Sequence, residues 1–132
     1  MKRLFLDDDP TRRKRFLSMY PGATIAEAAE DCIAALDNGG SWDEVYLDHD
    51  LLGSQQCCWS DDSRSGMEVV RHVERRTHGL APVPLRVGLF VIHTANTCAA
   101  MEMGRRLVMA GYTAALRPAY TFLAPDARQE AP

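Results

Sequence analysis

Two stretches of the chain run apolar and then turn abruptly acidic: Leu4 to Leu6 into Asp7, Asp8 and Asp9, and Val45 to Leu47 into Asp48, His49 and Asp50. A third apolar run, Val87 to Ile92, ends in His93 and Thr94, and a fourth, Tyr112 to Leu116, ends in Arg117. Carboxylates gathered in one place repel one another and call for a cation. Hard oxygen donors suit Mg²⁺ or Mn²⁺, which usually keep some waters and meet phosphate oxygens. Asp7, Asp8, Asp48 and Asp50 are therefore metal-ligand candidates, with Thr94, Asn96 and Arg117 as phosphate-binding candidates. His49 and His93 stand beside the acids as general acids or bases near neutral pH. Phosphoryl chemistry is the natural reading, with Asp48, Asp50, His49, His93 and Arg117 as its catalytic candidates.

Such a set works only if the strand ends meet. Arg3 to Leu6 reads as a strand, and Asp9 as a cap with Pro10 at the first helical position predicts a helix from Pro10 to about Met19. Pro21 and Gly22 close it. A short strand at Ala23 to Ile25 precedes a helix over Ala26 to Asp37, where Ala29, Cys32, Ile33 and Leu36 share a stripe before Gly39 and Gly40. Glu44 to Leu47 is the third strand. Leu51 to Ser65 is polar and irregular, a lid or mobile-loop candidate. Met67, Val70 and Val73 then space a third helix from Gly66 to about Thr77. The almost continuous apolar run Val87 to Ile92 suits a strand buried on both faces. Thr97 to Ala110 forms a fourth helix with Gly111 as its stop, and Tyr112 to Leu116 a fifth strand. Alternating strands and helices imply a doubly wound α/β fold with a parallel sheet, whose ligands gather beyond the carboxyl ends of the strands.

The 132 residues suffice for a single domain, 1–132, and the stretch 119–132, with Pro125 in it, reads as an irregular tail with the fifth helix short or absent. A formal charge of −3 argues against a surface built as an electrostatic glove for nucleic acid. No apolar run approaches the ~20 residues of a membrane span, and no signal-peptide core follows Met1, so the expectation is a cytoplasmic protein without a membrane partner. Thirteen arginines accompany only two lysines, Lys2 and Lys14, so any cation late in the chain is an arginine.

The motifs "LFLDDD", "VYLDHDL", "VIHTAN" and "LRP" resemble those of a response-regulator receiver domain up to Pro118. That resemblance implies a five-stranded sheet of order 2-1-3-4-5, as in flavodoxin-like folds. It also implies a metal pair in Asp7 and Asp8, a phosphoacceptor in Asp48 and a switch hydroxyl in Thr94. The Asp50 carbonyl would be a further ligand, and the bond before Pro118 would be cis. Arg117 departs from the family's lysine; its fork can clamp phosphate bidentately but changes the geometry. "LDHDL", the acidic insert, "SGMEVV" and "HTANT" resemble more narrowly the cyclic-phosphate-processing receiver family, associated with RNA-end or nucleotide metabolism.

The expected function is thus a Mg²⁺-dependent phosphoesterase acting on a cyclic or terminal phosphate of a nucleotide or RNA end. A receiver switch phosphorylated on Asp48 and a silent nucleotide-binding protein are the alternatives, and a homodimer is compatible with each. Plainer roles compete at several positions. Thr94 and Asn96 also suit helix capping, and strand alternation can turn His49 away from Asp48. The run Arg12, Arg13, Lys14 and Arg15 is either a solvated face or a guide for a nucleotide backbone. Asp61 and Asp62 solvate the insert or approach the site with it, and Cys57 and Cys58 lack zinc spacing.

Overall fold

The computed structural model describes residues 1–51, 64–80 and 82–117. The elements alternate as β1 (Arg3–Leu6), α1 (Pro10–Met19), β2 (Thr24–Ala26), α2 (Ala29–Asn38), β3 (Ser41–Leu47), α3 (Met67–His78), β4 (Arg86–Ile92), α4 (Thr97–Met109) and β5 (Ala114–Leu116). All strand pairs are parallel and the sheet order is β2-β1-β3-β4-β5. This is the doubly wound receiver-like arrangement the sequence implied, with four helices among the described residues. The expected insert positions 52–63, the step at Pro118 and the tail 119–132 lie outside the described residues.

The sheet divides the apolar residues by parity. Leu4, Leu6, Val45, Leu47, Phe90 and Ile92 pack towards α2, α3 and α4, while Phe5, Tyr46 and Val91 pack with Phe16 of α1. The two faces come from strict alternation along each strand.

Several boundaries differ from the sequence reading. Ala26 belongs to β2, not α2: it pairs with Leu6, and its carbonyl accepts the Asp7 amide at 3.1 Å. α2 starts only at Ala29, behind Ala28, which offers no side-chain cap. β3 begins at Ser41, three residues before the visible alternation, because Ser41 and Trp42 already pair with Arg86 and Val87. β5 shortens to three residues at the sheet edge. β4 is not buried along its whole length; Phe90, Val91 and Ile92 are, and Arg86 to Leu89 are exposed or half-buried. Among the described residues no helix is long and apolar enough to cross a membrane.

Candidate functional site

The strand ends are stitched into one row. The Asp48 amide donates to Leu6 O at 3.1 Å, His93 to Leu47 O at 3.0 Å, and Arg117 to Ile92 O at 2.8 Å, continuing the Asp7 to Ala26 bond. Residues in register on neighbouring strands project to the same face. Asp7, Asp48, His93 and Arg117 therefore leave the sheet on the α1 side, with Asp7 and Asp48 adjacent.

Ligand oxygens of Asp7, Asp8 and Asp48 all lie within 4.8 Å of one another. Three hard carboxylates at this spacing suit a divalent ion of the Mg²⁺ class. Electrostatics agree: burial, with the Asp7 charge adding to it, pushes the Asp48 carboxyl up to about 7, against the pull of Arg12 and the His49 amide. A raised carboxyl of this kind marks a negative potential that a cation relieves.

Among the described residues the cation on this cluster is Arg12, the first member of the basic run Arg12, Arg13, Lys14 and Arg15. Its Nε lies 2.7 Å from Asp7 Oδ2 and a terminal nitrogen 2.9 Å from Asp7 Oδ1. That same terminal nitrogen stands 3.6 Å from Asp48 Oδ2, and the other terminal nitrogen 3.1 Å from Asp9 Oδ2. The signal that finds it is its place in the first turn of α1. Side chains there lean towards the helix N-terminus, here back over the strand ends. The turn is held by Asp9, whose carboxylate accepts the Thr11 amide at 2.9 Å, and by Pro10 at its start.

A pocket of about 440 Å³ opens above these groups, lined by Asp8, Asp9, Arg12, Asp48, Asp50 and Thr94 together with Pro10 and Ala95. Thr94 stands on the loop after β4, its Oγ1 accepting the Asn96 amide at 3.1 Å. Asn96 caps α4 by accepting the Ala99 amide, and its Nδ2 reaches Asp50 Oδ1 at 3.4 Å. The capping role foreseen for Asn96 is thus what the structure displays, while Thr94 both supports that loop and faces the pocket.

The histidines lie beneath the pocket instead of lining it. His49 is buried, with Nδ1 2.6 Å from Asp50 Oδ1. An ionised carboxylate only accepts, so Nδ1 carries the proton. Gly66 closes over this turn: its amide donates to His49 O at 2.9 Å, and a Cβ there would stand 1.8 Å from the Asp48 carbonyl oxygen. His93 is also fully buried, stacked on Phe5, with Nδ1 3.7 Å from Asp7 Oδ2. The sequence suggests a histidine that works as an acid or base near neutral pH. For His93 the outcome is the reverse, because burial outweighs Asp7 and drives the imidazole down to about 4.

Arg117 is half-buried and is not among the residues lining the pocket. Its charge bears on Tyr46, whose hydroxyl is pushed up to about 12 by burial and by its bond to Glu44, with Arg117 opposing. In the row of backbone bonds His93 stands between Asp48 and Arg117.

Residues 2–108 match a family model described as the cyclic-phosphate processing receiver domain. Among curated proteins none matches the chain. A solved structure, a fusion carrying a yeast Spc42 trimeric coiled-coil segment, superposes with a TM-score of 0.52 at 20% identity. The match covers 86% of this chain and 64% of that one, and at such identity it speaks for the fold alone.

Proposed function

The chain belongs to the cyclic-phosphate processing receiver domain family, and from that premise we propose that it is a phosphoric ester hydrolase acting on a cyclic or terminal phosphate of a nucleotide or RNA end. The observation that carries this reading is the pocket in which Asp8, Asp48 and Asp50 share walls with Arg12 and Thr94. An anionic ester can enter such a place only where cations offset the carboxylates, and a hydroxyl donor beside them suits a phosphate oxygen.

A Mg²⁺ or Mn²⁺ ion held by Asp7, Asp8 and Asp48 would neutralise phosphate charge. The remaining work falls to the protein's own groups. Thr94 donates to a phosphate oxygen from the pocket rim. Asp50 is the carboxylate best placed to move a proton, because it faces the pocket while His49 fixes it from behind. His49 is on this account a positioning residue, as the orienting partner of a catalytic acid or base generally is. His93, neutral in its aromatic slot, steadies Asp7.

A second reading is supported by Asp48 and Thr94 facing one pocket, the pair a phosphorylated switch would use. One screen separates the two: cyclic mononucleotides, RNA ends carrying cyclic phosphate, and acyl phosphates, each with and without Mg²⁺. Hydrolysis of an ester that depends on the ion and on Asp50 supports the enzyme. Stable labelling of Asp48 by acetyl phosphate, with every ester left intact, overturns it in favour of the switch.

A further inference from the structure

Arg12 engages the oxygens that a metal ion needs. Its fork closes on Asp7 through two nitrogens and approaches Asp48 Oδ2, and both carboxylates belong to the cluster of convergent ligand oxygens. The bonds to Asp7, and the Asp7 charge with that of Asp48 behind it, raise the affinity of the guanidinium for its proton, the mark of a cation seated among anions. A divalent ion seated among these carboxylates would stand a few ångströms from the fork, where the two cations repel, so its arrival favours release of the guanidinium.

We propose that Arg12 is the resident counter-ion of the carboxylate cluster, that it trades places with the divalent ion, and that the released fork then binds the phosphate of the ligand. Asp9 makes the exchange local. Its carboxylate holds another Arg12 nitrogen at 3.1 Å and lies outside the three-carboxylate cluster, so the side chain keeps one partner while it gives up Asp7 and Asp48. The start of α1, fixed by the Asp9 cap and Pro10, leaves the side chain as the moving part. Arg12 already lines the pocket, and a planar guanidinium meets phosphate bidentately. Phosphate affinity is then coupled to the ion twice, through the ion's own charge and through the arginine it frees.

The proposal rests on the metal-dependent reading of the site, and the test separates the two. Mg²⁺ is titrated calorimetrically into the full chain and into Arg12→Ala, Arg12→Gln and Arg13→Ala, followed by inorganic phosphate into each Mg²⁺-saturated protein. Arg13 is the control because its contact with Asp7 is to the backbone carbonyl, at 3.2 Å. Arg12→Ala should bind Mg²⁺ about tenfold more tightly and phosphate about tenfold more weakly than the parent, a coupling of ordinary size. Arg12→Gln should move in the same directions and serves if Arg12→Ala fails to fold, while Arg13→Ala should leave both affinities nearly unchanged. Mg²⁺ binding of parental strength or weaker in the Arg12 variants overturns the exchange, as does equal tightening in Arg13→Ala, which would mean net charge alone. Tighter Mg²⁺ with unaltered phosphate binding overturns the phosphate role. No Mg²⁺ binding in any of the proteins would instead remove the metal reading itself, and the exchange with it.

Discussion

The imidazole of His93 lies flat against the ring of Phe5, their centroids 4.8 Å apart and their planes 6° from parallel. Burial in this slot, also walled by Tyr46, favours the neutral ring.

The first prediction follows from that slot. The folded-state value of His93, about 4, lies below the ordinary 6.5, so the neutral ring costs nothing above pH 6.5. As pH falls from 6.5 towards 4 the unfolded chain takes up a proton that the folded one refuses, and stability is lost, by on the order of 3 kcal/mol at most. His93→Phe removes this loss. Denaturant midpoints at pH 7 and pH 4.5 should show the variant gaining on the parent as acid is added; a gap that stays constant with pH would count against a neutral buried imidazole.

Asp48 has the opposite sign. Its folded value is raised to about 7, so its contribution to stability is full below about 3.8 and is lost as pH rises through 7. Without metal, Asp48→Asn should therefore melt higher than the parent at pH 8 and close to it at pH 4. With Mg²⁺ the order changes, because the ion needs the ionised form. The Mg²⁺-induced rise in Tm should be larger at pH 8 than at pH 6 in the parent and should shrink in Asp48→Asn. A full rise in that variant would locate the ion elsewhere.

The 2.6 Å contact between His49 Nδ1 and Asp50 Oδ1 gives a graded expectation. Asp50→Asn should lower ester turnover by roughly 10²-fold or more, as loss of an acid or base does. His49→Leu should lower it less and shift the pH profile of kcat. His49→Asn, whose amide nitrogen comes close to the place of Nδ1, should restore part of the rate and much of the profile. Equal loss in both His49 variants with an unmoved profile would make His49 a packing residue only.

Gly66 admits no side chain without displacing the end of β3, since a Cβ would fall 1.8 Å from the Asp48 carbonyl oxygen. Gly66→Ala should cost about 1–3 kcal/mol in chemical denaturation, the usual range for forced overpacking. It should also weaken the Mg²⁺ response, because the backbone that must yield carries Asp48. Loss of stability with the Mg²⁺ response intact would show that α3 moves instead.

The fold and the acidic cluster were legible because apolar runs broke sharply into Asp7, Asp48, His93 and Arg117, and β-strand ends of a parallel sheet share an edge. Boundaries were lost where chemistry was silent. Ala26 suits a helix as well as a strand, and Ala28 offers no cap to mark where α2 begins. The histidines illustrate a different limit. Adjacency in sequence puts His49 beside Asp48, yet its ring is buried against Asp50 and does not line the pocket. His93 shares the acids' side but is taken up by Phe5, a contact between strands that no local pattern records. Arg12 was hidden by its neighbours: in a run of four basic residues, the direction of the first helical turn selects the one that reaches the acids.

The row of bonds from Asp7 to Ala26, Asp48 to Leu6, His93 to Leu47 and Arg117 to Ile92 also ties the chemistry to the order of folding. Each rung joins a site residue to the strand beside it in the sheet, and these partners are separated in the chain by whole helices and, for Asp48 and His93, by more than forty residues. Such closures are slow compared with helix formation, because chain entropy is lost before the contacts form. Secondary structure alone leaves the acids apart. The cluster with its arginine is complete only once β3 has paired with β1, so a nascent chain that has not yet closed this pairing has no assembled cluster with which to capture ions or phosphate esters.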